Sequence, residues 1–256
     1  MAQPTLFPES GFRRLRMDIA YDGTQFFGWA AQPGRRTVQE FLEEVLARIA
    51  QSDIETIVAG RTDAGVHATG QVIHVDLPDS LFTPEFTYKD LKYKLNRILD
   101  EDVRVMEISD APAGFHARFS ALRRYYTYKI QDANEAISPL ARYDVAPWYR
   151  PLDVDLMNQA SALVLGHHDF AAFCKFKEGG TTIRTLEKYQ WQRTSAGLLV
   201  ADGRKDASWM SELLSNKERV SDSLVFPARG LTLYRVDYPS DGQLLERAEK
   251  TIGKRG

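Results

Sequence analysis

The sequence predicts an α+β fold built of two similar mixed α/β units, and three observations predict it. Apolar and polar residues alternate over 14–21, the mark of a strand with one buried face. Val38, Phe41, Leu42, Val45, Leu46 and Ile49 follow the period of an amphipathic helix. The same succession of strand and helix patterns then returns in the second half. A chain of 256 residues is long enough for one large domain or two modest ones. The expected division falls near Asp110-Ala111-Pro112, giving an N-terminal half 1–112 and a C-terminal half 113–256.

In chain order, the first strand carries Leu15, Met17, Ile19 and Tyr21 on its core face and ends in a turn at Asp22-Gly23. Thr37 opens the first helix, and Glu40 three residues later predicts a capping box. Residues 54–59 and 72–77 read as strands, joined by a glycine-rich loop over 59–71. Leu91, Leu95, Ile98 and Leu99 mark a second helix, and 103–108 a further strand. In the second half, 124–130 alternates as a strand. Leu156, Ala160, Leu163 and Val164 mark a helix that stops at Gly166. A long strand over 183–193 sets Tyr189 and Trp191 on one face, and a short one follows over 198–201. Trp209, Met210, Leu213 and Leu214 predict a helix that Asp206 caps. The last strand covers 231–236, and the charged tail after Pro239 is expected to be loosely held.

Composition excludes several classes. No apolar run approaches a membrane span. The first residues lack the basic start and apolar core of a signal peptide. A single cysteine, Cys174, allows no internal disulfide, which fits a reducing cytoplasm. The five histidines show neither HExxH nor Cys-paired spacing, so no zinc site is expected. The adjacent side chains of His167-His168-Asp169 diverge, which argues against a metal there too. A formal net charge of -2 gives no basic coat, yet nucleic-acid binding needs only a local face. Arginines cluster at Arg13, Arg14 and Arg16, at Arg35 and Arg36, and at Arg118, Arg123 and Arg124.

Three stretches carry chemistry. The loop AGRTDAGVHATGQ sets one carboxylate, Asp63, two residues after Arg61 among glycines at 60, 65 and 70. A neighbouring guanidinium favours the ionised carboxylate, and glycine lets backbone approach a ligand closely. Chemistry alone admits two readings: a loop salt bridge with a turn-forming Asp, or a working nucleophile or base. The stretch FHARFSALRRYYTYKI mixes arginines, which grip phosphate, with aromatics, which stack on unpaired bases. It reads equally as an amphipathic strand with Tyr126, Tyr128 and Ile130 facing the core. The third stretch, YDGTQFFGW, reads as a tight turn with aromatic packing.

Together these stretches resemble the motifs of the TruA-type tRNA pseudouridine synthases. The family's YDGT-x-F-x-GW lies at 21–29, its GRTDAGVHA-x-GQV at 60–72, and its FHARFSA with R-x-Y-x-Y at 115–128. His168-Asp169-Phe170 before Phe173, and Gly230-Leu231-Thr232-Leu233 before Val236 and Tyr238, extend the likeness from about Arg14 to Pro239. The resemblance implies a pseudouridine synthase-type antiparallel sheet that joins the two halves, with helices on its outer face. It implies a cofactor-free isomerisation of uridine to pseudouridine in the anticodon stem-loop of tRNA, carried out by a homodimer in the cytoplasm. Asp63 would be the catalytic carboxylate, attacking C1′ of the ribose or removing the C2′ proton. Tyr126 would stack on the uracil and help take the C5 proton. Leu231 and Phe26 would line the pocket, Arg61 would place the flipped nucleotide, and His67, Arg118, Arg123 and Arg124 would contact RNA.

Two departures from the family pattern stand out. Ala30 occupies the place of the usual Gln after GW. The Met-Val-Arg run, whose arginine normally pairs with the catalytic Asp, occurs nowhere in this chain. The second departure keeps a rival open, a member that holds tRNA without converting it. An unrelated hydrolase pairing Asp63 with a second carboxyl is a further rival, and would release free uracil.

Overall fold

The computed structural model describes residues 5–133, 135–170, 182–206 and 226–253. The helix expected over 209–214, together with Phe173 and Cys174, lies outside the described residues. The mixed strand-and-helix composition is as expected, with ten strands and four α-helices among the described residues. The chain forms two compact units, Met1–Leu122 with Tyr234–Gly256, and Arg123–Leu233.

In the first unit, β1 (Phe12–Tyr21) is the middle of an antiparallel ladder. One side pairs with β3 (His67–Pro78), the other with β4 (Val103–Asp110). The short β2 (Thr56–Val58) pairs with β3 in turn. The alternation read from the sequence is real: Leu15, Met17 and Ile19 are fully buried. The helix α1 (Val38–Ala50) turns Val38, Leu42, Val45, Leu46 and Ile49 to the core. Its expected capping box is not formed, because Thr37 makes no side-chain cap bond to the helix backbone. A capping box forms instead at the next helix, α2 (Tyr88–Ile98), where Asp90 Oδ2 accepts from the Thr87 backbone N–H at 2.9 Å. Thr87 Oγ1 donates to the same Asp90 oxygen at 2.6 Å.

The second unit is a ladder of β5 (Arg123–Gln131), β9 (Leu199–Asp206), β8 (Ile183–Arg193) and β7 (Gly166–Asp169), each antiparallel to the next. The two-residue β6 (Ala146–Pro147) joins β5 in parallel. Asp206, expected to cap a helix, is the last residue of β9. Helix α3 (Val154–Leu163) begins at Asp153, whose carboxylate accepts from the N–H groups of Asp155 and Leu156. The core gathers Ile130, Trp191, Leu199 and Ala201. His167 and His168 point to separate partners, Thr185 Oγ1 and the Leu165 carbonyl.

The tail differs from expectation. The strand β10 (Leu231–Asp237) carries the chain into the first unit, and α4 (Leu244–Gly253) then buries Leu244 and Ala248 there. These two residues lie four apart and share one helix face, a short apolar stripe within a charged sequence. Ser120 Oγ donates to the Leu244 carbonyl at 3.3 Å, and Arg247 donates to the Ala121 carbonyl, also at 3.3 Å.

Candidate active site

The loop after β2 is built by backbone contact with the segment 21–29. Trp29 N–H donates to the Thr62 carbonyl at 2.9 Å, and Gly65 N–H donates to the Phe26 carbonyl at 3.2 Å. Val66 N–H closes a turn onto the Asp63 carbonyl, with Gly65 at φ +77 in the third position. That conformation favours glycine. Two further glycines allow the segments to touch. A Cβ on Gly23 would overlap the Val66 carbonyl, and one on Gly28 would sit 2.8 Å from the Thr62 oxygen and 3.2 Å from Asp63 C. Gly28 also holds φ +92.

Side chains complete the frame. Tyr21 is buried, and its hydroxyl lies 2.8 Å from Thr62 Oγ1. Burial pushes the Tyr21 phenol up to about 12, so it stays protonated and able to donate. Gln71, fully buried, donates both to the Tyr21 hydroxyl at 3.2 Å and to the Gly60 carbonyl at 2.9 Å. His67 Nδ1 accepts from the Gly23 N–H at 3.0 Å. Backbone on both sides of Asp63 is thereby fixed, and the residue itself is exposed.

This geometry revises one expectation. Arg61 and Asp63 are both exposed, and neither forms an ion pair among the described residues. An exposed pair gains little from contact and loses side-chain freedom, so the two solvated charges stay apart.

The remaining sequence-selected residues divide clearly. Arg118 is exposed, on a turn whose Arg118 and Phe119 N–H groups both donate to His116 Nδ1 at 3.2 Å. Phe26 is a core residue under the Arg36 guanidinium, 4.0 Å from its ring centre, and His67 is buried as a strut. In the second unit, Tyr126 is buried in β5 opposite Gly203 of β9. Arg124 is buried, and Arg123 grips Glu187 with bonds of 2.8 and 3.0 Å. Leu231 is buried directly after Gly230, where an added Cβ would meet the Tyr128 ring at 2.7 Å. Sequence reasoning missed Tyr21 and Gln71 as supports of the loop. Their signal was polar atoms placed on otherwise core-facing positions.

Beneath the Arg118 turn lies a buried polar cluster. Arg14 holds Asp76 with two 2.8 Å bonds and donates to the Phe115 carbonyl at 3.1 Å. His74 Nδ1 accepts from Ala117 N–H at 3.0 Å, and the His74 and His116 rings lie 4.8 Å apart. Burial, then the charge of Arg14, pushes His74 down to about 2 and His116 down to about 4. Both are therefore neutral acceptors at neutral pH. Below about pH 6.5 the unfolded chain binds protons that the folded chain refuses. Stability should thus fall as pH drops from about 6.5, by up to about 1.4 kcal/mol per pH unit per histidine. That loss should level off for His116 near 4 and continue for His74 toward 2. Urea unfolding at about pH 7.5 and about pH 5.5 measures it, and His116→Asn should roughly halve the difference, leaving the part due to His74.

Comparison with known proteins agrees with this framework. A family model described as tRNA pseudouridine synthase matches residues 18–120, which include the Asp63 loop and its 21–29 support. A protein described as tRNA pseudouridine synthase A from Frankia casuarinae is 45% identical, covering 94% of this chain and 95% of the relative. One from Streptomyces griseus is 46% identical over 94% and 93%, and one from Mycobacterium leprae 45% over 92% and 93%. The Frankia alignment runs over 265 positions while covering only 94% of a 256-residue chain. It therefore includes residues of the relative that have no counterpart here. Identity of this extent along nearly the whole chain leaves one conclusion: this chain belongs to the tRNA pseudouridine synthase A family.

Proposed function

We propose that this chain isomerises uridine to pseudouridine in the anticodon stem-loop of tRNA, with Asp63 as the catalytic carboxylate. One observation carries the reading. The loop backbone is fixed at 60, 62, 63, 65 and 66, while the Asp63 carboxylate has no hydrogen bond or ion pair among the described residues. A group held so firmly by its backbone, and left unspent by its side chain, is placed to act on something outside the protein. In the reaction the N1–C1′ bond breaks, the uracil turns, and C5 bonds to C1′. C5 then loses its proton, and N1 regains one. Asp63 attacks C1′ or takes the C2′ proton. Tyr126 serves as the aromatic that faces the uracil and receives the C5 proton, directly or through water, and Leu231 packs beside the base.

The target base must leave its stack, at a cost of a few kcal/mol. Since the carboxylate is exposed in the free chain, bound RNA supplies the cover that keeps water away. Arg61 and Arg118, both exposed, are the cations that grip phosphate. Binding should accordingly weaken about tenfold or more for a fourfold rise in salt, as measured by titrating labelled tRNA at each concentration. We place the reaction in the cytoplasm, in a homodimer, with no cofactor. Among the described residues no helix is long and apolar enough to cross a membrane.

A second reading has its own support. No cation pairs with Asp63 among the described residues, and the family's arginine run is missing. On that reading the chain binds tRNA without converting it. Incubation of the purified chain with unmodified tRNA separates the two. Pseudouridine that forms with this chain and not with Asp63→Ala establishes the enzyme, while binding without conversion establishes the alternative.

A further inference from the structure

Phe27 is out of place by packing alone. Its neighbours Phe26, Gly28 and Trp29 are buried, whereas Phe27 is 46% exposed. The Arg35 guanidinium lies over its ring, 4.4 Å from the centroid. The two guanidinium groups of this loop are used differently. Arg36 is tied to Asp100 and Asp102 at 3.0 and 2.7 Å. Arg35 is exposed and has no ion pair among the described residues.

The pair is also held stiffly. Gln32-Pro33-Gly34-Arg35 closes a turn in which Arg35 N–H donates to the Gln32 carbonyl at 3.1 Å. Proline in the second position and Gly34 at φ +68 in the third suit a type II turn. Two bonds of 2.9 Å then clamp the Phe27 backbone: Gln32 Nε2 donates to its carbonyl, and its N–H donates to the Arg36 carbonyl. The very next residue, Gly28, lies where an added Cβ would sit 3.2 Å from Asp63 C. An exposed aromatic ring under an uncommitted guanidinium thus sits one residue from the support of the catalytic loop.

We propose that Phe27 and Arg35 form a nucleotide platform that holds the residue flanking the target uridine. The outer face of the guanidinium stacks on that base, and its N–H edges donate to an adjacent phosphate. The inference rests on the reading that the Asp63 loop is where the uridine reacts, and it makes both side chains positioning residues.

The test measures binding of an unmodified tRNA transcript to the full chain across a salt series, with single-turnover conversion alongside. Arg35→Ala should weaken binding about 5- to 20-fold and make the salt slope shallower by about one ion. Phe27→Leu should weaken binding by a similar factor, and Phe27→Tyr should restore it. Melting temperatures should match that of the unsubstituted chain, since both side chains are exposed. Unchanged affinity and salt slope in Arg35→Ala overturn the proposal. So does a Phe27→Leu protein that binds normally, because stacking would then carry nothing. If Phe27→Leu proves unstable, Arg35→Ala and Phe27→Tyr decide the matter alone. The binding arms need no turnover, so a chain that makes no pseudouridine would refute the proposed activity while its affinities still decide the platform.

Discussion

Asp63→Ala should abolish pseudouridine formation while leaving folding and tRNA binding intact. The carboxylate is exposed and makes no bond that the fold depends on, so its loss should change stability by no more than about 0.5 kcal/mol. Its backbone carbonyl, which accepts from Val66 N–H, survives the substitution. The rate should fall on the order of 10^4-fold or more, as when a sole reacting group is removed. Asp63→Glu is the sharper probe. It keeps the charge and moves the oxygens by roughly one bond length, which should cost about 10^2-fold in a site that works by position. Release of tritium from C5-labelled uridine in tRNA follows the chemistry directly, because C5 gives up its hydrogen when it bonds to C1′. An Asp63→Ala protein that still releases tritium at the unsubstituted rate would remove this residue from the mechanism.

Gly23→Ala and Gly28→Ala should also damage activity, though less than loss of the carboxylate and though neither residue touches substrate in the proposed reaction. The added methyl at 23 would overlap the Val66 carbonyl, and at 28 it would press on Thr62 and Asp63 while the backbone holds a left-handed φ. Backbone is the neighbour in both cases, so no side chain can swing aside. The loop must move, and overpacking of this kind costs about 1–3 kcal/mol. A displacement of about 1 Å at Asp63 is enough for about 10^2-fold in rate. The combined signature is a lowered melting temperature with a larger loss of conversion than of tRNA binding. Gly11→Ala is the control: its Cβ would meet nothing within 4 Å, and it precedes β1 at the opposite end of that strand from Tyr21. It should lose stability from its positive φ while its rate of conversion stays near that of the unsubstituted chain.

Much of the fold was legible because its determinants are local. Alternation along β1 and helical spacing in α1 record which face of each element meets the core, and both hold. The motif residues around Asp63 were equally plain, since a glycine-rich loop between two strands is a short-range pattern. What misled was also local. Thr37 and Glu40 carry the letters of a capping box without its bonds, and Arg61 beside Asp63 reads as a pair that solvent keeps apart.

Element types, the carboxylate and the family resemblance could all be read along the chain, because each depends on residues within a turn or two of one another. Three features emerged only on folding. Tyr21 and Gln71, 50 residues apart, brace the loop; Phe26, His67 and Arg124 are buried; and α4 returns to the first unit. Burial and hydrogen-bond partnership are set by long-range pairing of strands, which no short window of sequence contains. A side chain's own neighbours in sequence say which way it can point, and only the strand laid across it says what it meets there.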